Sequence, residues 1–184
     1  MMLGMVFTEL MEMVEERFSP EVADAILQKA APEHGGAYTA VGYYGHGEIV
    51  ALVVALSELT GVPVPDLVQA FGEHLLGRFT QLYPQMFTQH SQLFDFLASI
   101  EPYIHVEVRK LYSNAQLPTF EVLSRNAAQM HLLYSSPRKM ESLALGLLLG
   151  AARHFGQPVQ VTSEPGQGSD GQAGTVFIID LQPA

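Results

Sequence analysis

The sequence predicts an α+β fold, with a helical N-terminal part and a C-terminal part in which a small antiparallel sheet packs with helices. Two observations carry this. Apolar residues recur at steps of three and four through roughly the first 112 residues, the period of a helix face. Beyond "NAQLPTF" the texture changes to short β-rich runs separated by turn residues. Composition agrees: 184 residues, 48% hydrophobic and 15% charged, can enclose a core with room for a ligand, and residues 1–184 read as a single domain.

Residues 2–18 place Met5, Val6, Leu10, Met13 and Val14 at helical spacing. In "SPEVADAILQKA", Ser19 is expected to cap a second helix and Pro20 to occupy its first position. "APEHGGAYTAVGYYGHGE", with five glycines, reads as an irregular connection before a helix at about 46–60. "TGVPVPD" stops that helix, and Asp66 is expected to cap the next, which runs to about Tyr83. "SQLFDFLASIEPYIHVEVRKLY" carries apolar residues at 93, 97, 100, 104, 108 and 111, one inward stripe of a long buried helix. Pro102 removes a backbone donor and crowds the preceding turn, so a bend or break is expected near 101. Strands follow at about 119–123, 129–136, 158–163 and 175–181, with a helix at about 138–154 ended by Gly156 and Pro158. Gly146 and Gly150 share one face of that helix and suit close approach by either a neighbouring backbone or a flat ligand.

Several function classes drop out. A formal charge of −10, from nine Lys and Arg against nineteen Asp and Glu, repels nucleic acid. No window approaches the roughly 20 apolar residues of a membrane span. "MMLGMVFTELMEMVEERF" has acids throughout and no basic leader, so a cytoplasmic protein is expected. Without cysteine, disulfides, thiolate metal sites and thiol catalysis are excluded. "GQGSDG" at 166–171 matches G-x-G-x-x-G, but the strand-like "QAGTVFIIDL" after it makes a hairpin loop of those glycines rather than a phosphate cradle. The seven histidines include no i, i+4 pair, and neither H-E-x-x-H, G-x-S-x-G nor a Walker loop occurs, so an enzyme is not expected.

His105 lies beside the core stripe of the long helix. A lone histidine there is commonly a core residue, yet haem iron needs only one protein ligand. "HLLYSSPRKM" supplies what such a group's carboxylates require. If 134–138 is extended, the period of two puts Tyr134, Ser136 and Arg138 on one face. There a planar guanidinium and two hydroxyls can meet two acids. Pro137 suits the end of the strand and leaves Arg138 to begin the helix.

Tyr-x-Ser-x-Arg after a helix with a single histidine resembles the H-NOX family, the haem-nitric oxide/oxygen binding domains related to the sensor of soluble guanylate cyclase. The resemblance covers essentially the whole chain, from "LGMVFTELMEMV" through "AFGEHLLGRF", "IHVEVRKLY" and "LYSSPRKM", with Pro118 thirteen residues after His105. It implies haem b, iron protoporphyrin IX, between the two parts of the fold, with His105 as proximal iron ligand. By the same resemblance Tyr134, Ser136 and Arg138 hold the propionates and Pro118 presses on the porphyrin. Oxygen-binding members carry a distal tyrosine at the position of Leu143, and neighbouring network positions fall on Leu10 and Leu75. Val6, Leu76, Phe79 and Leu147 complete the wall.

An apolar wall implies a sensor of NO, and more weakly CO, with weak or no O₂ binding. His74 and Tyr44 are the nearest donors. Weakening of the iron–His105 bond would pass the signal to a separate protein, because no output domain is read in the chain. In bacteria, stand-alone relatives commonly act on a histidine kinase or a cyclic-di-GMP enzyme. Two alternatives stay open: a haem-free module for an apolar carboxylate, with His105 structural, and an O₂-binding haem protein. A kinase-like ATPase built on the terminal hairpin lacks the upstream nucleotide motifs.

Overall fold

The computed structural model describes residues 1–183. A two-residue strand β1 (Met2–Leu3) leads into α1 (Gly4–Arg17), followed by α2 (Pro20–Ala30) and a second short strand β2 (Tyr43–Tyr44). β1 and β2 pair antiparallel, although the sequence pattern reads the first as helix and the second as loop. The reason is long-range. Gly4 N–H donates to the Gly42 carbonyl (2.7 Å) and Met5 N–H to Ala40 (3.0 Å), so the loop before β2 satisfies donors that a helix start leaves open. A side chain at Gly4 would run into the Thr39 carbonyl, which explains the glycine. Ser19 caps α2 as expected, its Oγ accepting from Val22 N–H at 3.2 Å.

α3 (His46–Thr60) ends at Gly61, whose φ of 74° is the left-handed turn a Cβ would disfavour. α4 (Val64–Leu82) starts with Pro63 at the cap position, so Asp66 lies in the first turn and not at the cap. Pro65 fixes the helical φ early and moves the start toward the N-terminus, and Asp66 then acts on the helix dipole. After a short 3₁₀ turn (Pro84–Met86) comes α5 (Leu93–Ser99), a π-helical turn (Ile100–Ile104) and α6 (His105–Leu111). Pro102 therefore widens the long helix instead of breaking it. His105 N–H reaches back five residues to the Ile100 carbonyl.

β3 (Thr119–Arg125) and β4 (Gln129–Ser135) precede α7 (Glu141–His154), and β5 (Val159–Gln167) and β6 (Ala173–Leu181) close the chain. The sheet order is β3-β4-β6-β5, with every neighbour antiparallel. The glycine run makes the β5–β6 hairpin: Gly168 N–H donates to Gln172 at 2.9 Å and Gly171 has φ 79°. Two expectations fail together near Arg138. β4 stops at Ser135 and α7 begins at Glu141, so 136–140 is a turn, with Lys139 at φ 51°.

The buried side chains form two clusters. One gathers Phe7, Leu10, Leu52 and Phe71 among α1–α4; the other gathers Phe94, Leu97, Leu132 and Phe177 among α5, α7 and the sheet. α4 and α7 seam them together. A Cβ at Gly146 would meet the Gln69 carbonyl and stand 2.9 Å from Gly72 Cα, while one at Gly150 would press on Leu76. Packing against α4 thus accounts for both glycines, through its backbone at Gly146 and through the Leu76 side chain at Gly150. Among the described residues no single helix is long and apolar enough to cross a membrane.

Candidate functional site

Between the two clusters lies a cavity offering about 280 Å³ to the centres of water-sized molecules, so the envelope it admits is larger by a water radius at each wall. The apolar stripe of the long helix faces it: Ile100, Ile104, Val108 and Leu111 line one wall, with Leu111, 58% exposed, at the mouth. His105 lines that same wall and is 8% exposed. Its Nδ1 is 2.7 Å from Glu101 Oε1, and the same oxygen accepts Phe120 N–H at 3.0 Å. An ionised carboxylate only accepts, so the ring's proton belongs on Nδ1 and Nε2 keeps its lone pair. Burial lowers the His105 pKa against the opposing pull of Glu101, which favours the neutral ring a metal requires. The Phe120 ring centroid lies 5.9 Å from that of His105 and 5.5 Å from that of Tyr134.

Pro118, Tyr134, Ser136 and Arg138 line the cavity as well. Pro118 comes from the approach to β3 and Tyr134 from the end of β4, while Ser136 and Arg138 come from the 136–140 turn and not from a continued strand. Pro137 has no ladder donor and ends β4, and the turn is closed by Ser136 Oγ accepting Arg138 N–H at 3.2 Å. Tyr134 Oη accepts Met140 N–H at 3.3 Å, which leaves its own proton to give. Burial raises the Tyr134 pKa, so the phenol stays a donor. Arg138 gives one Nη1–H to the Gln116 carbonyl (2.7 Å) and its two Nη2–H groups to Met1 O (2.6 Å) and Gln116 Oε1 (2.8 Å). Of five guanidinium donors, Nε–H and one Nη1–H have no protein acceptor among the described residues.

Val6, Leu75, Leu76, Phe79, Leu143 and Leu147 line the cavity. Leu10 does not. One turn beyond Val6, it is 1% exposed inside the helical cluster, where α1 has left the cavity wall. The two doubtful donors are also elsewhere: Tyr44 packs with Phe7 and Tyr38, and His74 Nε2 stands 3.4 Å from Glu9. Sequence reasoning missed a different pair. Tyr83, at the end of α4, and Tyr112, just past α6, both line the cavity with their hydroxyls 2.8 Å apart. Burial, then the Tyr112 hydroxyl, raises the Tyr83 pKa. Residues 29 apart in sequence give no local signal of such a contact. Glu101 was also missed, although its i, i+4 spacing from His105 was readable.

The donor set fits haem on chemical grounds. An apolar cavity holds one imidazole with a free lone pair on its wall, and a guanidinium and two hydroxyls that could meet an acidic edge line it too.

Comparison with known proteins agrees. The Haem-NO-binding family profile matches residues 3–163. An H-NOX protein from K. algicida, described as Fe(II) unliganded, is 35% identical, with 100% of this chain and 98% of that one covered at TM-score 0.90. An H-NOX protein from S. oneidensis in the Fe(II)NO ligation state is 30% identical, with 99% and 100% covered at TM-score 0.88. The SO2144 H-NOX domain of Shewanella oneidensis in the Fe(II)CO state is 30% identical, with both chains covered at 100% and TM-score 0.85. No curated protein sequence matches significantly.

Proposed function

The chain belongs to the Haem-NO-binding (H-NOX) family, whose domains bind haem and sense gases, and from that premise we propose that it is a bacterial, cytoplasmic NO sensor with little or no affinity for O₂. On this proposal residues 1–184 form one sensor domain and the cofactor is haem b. The observation that carries it is a buried histidine with its Nδ1 proton committed, on the wall of a cavity that six apolar side chains of α1, α4 and α7 also line.

His105 Nε2 is the single protein ligand to the iron. Tyr134, Ser136 and Arg138 donate to the propionates, with the two uncommitted guanidinium N–H groups available to them. Pro118 packs on the macrocycle. Haem held by these residues would supply a ferrous iron able to bind NO or CO, with His105 as the protein group whose hold on it a gas could alter. Val6, Leu75, Leu76, Phe79, Leu143 and Leu147 offer a bound gas no donor, the Tyr83 and Tyr112 hydroxyls that also line the cavity engage each other, and a polar Fe–O₂ unit would need a donor.

His105 opens α6 directly after the π-helical turn, so a change in its hold on the group would act first on that junction. The end of α6 is tied to the end of α4 by the Tyr83–Tyr112 hydrogen bond, so a shift of α6 would act on α4. A ligand that favours one arrangement shifts the population toward it. A separate signalling protein, a histidine kinase or cyclic-di-GMP enzyme, reads the surface of that arrangement.

Absorption spectra of the ferrous protein, expressed with ample haem, test the proposal alone, with NO, with CO and in air. A Soret band that shifts with NO and CO but gives no stable oxy form is expected. A colourless protein overturns the haem assignment and leaves the apolar-carboxylate module. A persistent oxy spectrum overturns the ligand preference.

A further inference from the structure

We propose that Glu101 is a positioning residue that sets how strongly His105 holds iron, an inference that rests on the haem assignment above. Its carboxylate is fixed from three directions. Oε1 is 2.7 Å from His105 Nδ1 on the next helical turn and accepts Phe120 N–H of β3 at 3.0 Å, while Arg109 Nη2 stands 3.9 Å from Oε2. The side chain is only 28% exposed, so water competes weakly for the same oxygen.

A short hydrogen bond to an ionised acceptor draws the Nδ1 proton toward the carboxylate. The imidazole becomes more electron-rich, and Nε2 becomes the better donor to a metal. Glu101 thereby does two things: it fixes the tautomer in which Nε2 is free, and it strengthens the bond that NO must loosen. The charge matters for the second and not for the first, because a neutral amide oxygen can still accept from Nδ1–H.

One oxygen also serves two elements. It joins His105 on α6 to the backbone of β3 two residues beyond Pro118, so the ring's position and the proline's are referred to the same strand. No other carboxylate contacts the His105 ring among the described residues.

The test compares Glu101→Gln, which keeps size and acceptor but removes charge, with Glu101→Asp, which keeps charge at a shorter reach. Resonance Raman of the ferrous, haem-loaded chain reads the iron–histidine stretch. It is expected to fall in frequency in Glu101→Gln, and by less in Glu101→Asp. The share of NO complex that loses the histidine bond should rise in Glu101→Gln, and haem should leave about tenfold faster, the lower end of the usual effect of removing such a partner. A Glu101→Gln band at the native position overturns the proposal, as does an equal shift in both variants, which marks Glu101 as a space-filling residue. If Glu101→Gln fails to retain haem, a native band in Glu101→Asp together with native haem retention supports the charge, and loss of haem in both overturns it. Absence of any iron–histidine band in the unsubstituted protein refutes the haem ligand itself, a separate failure.

Discussion

Replacing Gly146 by alanine pits helix propensity against packing, with opposite signs. In an isolated helix the change stabilises by about 1 kcal/mol. Here the new Cβ would overlap the Gln69 carbonyl oxygen and stand 2.9 Å from both Gly72 Cα and the Gln69 carbonyl carbon, where ordinary contact begins at 3.4 Å, so the backbones must part by about 1 Å. Both obstacles are main chain and cannot rotate away. Overpacking of this kind costs about 1–3 kcal/mol, and contact with backbone on a rigid seam belongs to the upper half. The net expectation is a loss of about 1–2 kcal/mol, or a fall in Tm of roughly 2–8 °C for a chain of this size. Gly77, on α4 itself, is the control. A Cβ there meets nothing within 4 Å, so Gly77→Ala should raise Tm by about 2–4 °C from propensity alone. Thermal melts followed by circular dichroism at matched haem loading measure both. A Tm that rises in both variants would refute the close-packed seam.

His105→Gly should purify without haem and regain a Soret band when free imidazole is supplied; a Soret band without imidazole would place the iron on another residue. Arg138→Gln should release haem to an apo-acceptor about tenfold faster, taking hydrogen bonds to a charged group as roughly 1.5–3 kcal/mol and discounting for the half-buried position of this side chain. Burial, followed by the charges of Arg138 and the N-terminal amine, holds His46 below its ordinary value of 6.5. The unfolded chain therefore takes the proton first, so this contribution to stability is whole above that value and declines as pH falls below it toward the lower folded pKa. Urea midpoints measured from about pH 7.5 to about pH 5 should fall less steeply in His46→Gln.

The elements most legible in the sequence were those fixed by neighbours along the chain. Ser19 with Pro20 announced a cap, Gly61 and Gly156 ended helices, and the 166–171 glycines made a hairpin, because each rests on φ or on a hydrogen bond to a near residue. What failed rests on distant partners. β1 exists because residues 40–44 come back to it, and Leu10 looks equivalent to Val6 on a helical wheel although α1 leaves the cavity within one turn. The donor set was recognisable as residues but not as geometry. An alternating strand and a proline-closed turn both bring Tyr134, Ser136 and Arg138 to one place, and only the backbone distinguishes them. Glu101 lies off the helix's apolar stripe, and an acid one turn before a histidine is ordinary on a helix surface until the fold buries the pair against β3.

The presence of two apolar clusters, meeting at the α4–α7 seam and through Phe79 and Leu147, bears on how the molecule comes apart. Whatever fills the cavity touches both clusters at once and makes their melting a single cooperative event. With the cavity vacant, each cluster keeps its own interior and the α4–α7 seam is left as the main tie between them. Calorimetry would then record a broadened or split transition in place of one peak, and cofactor occupancy could be judged from the sharpness of unfolding before any colour is measured.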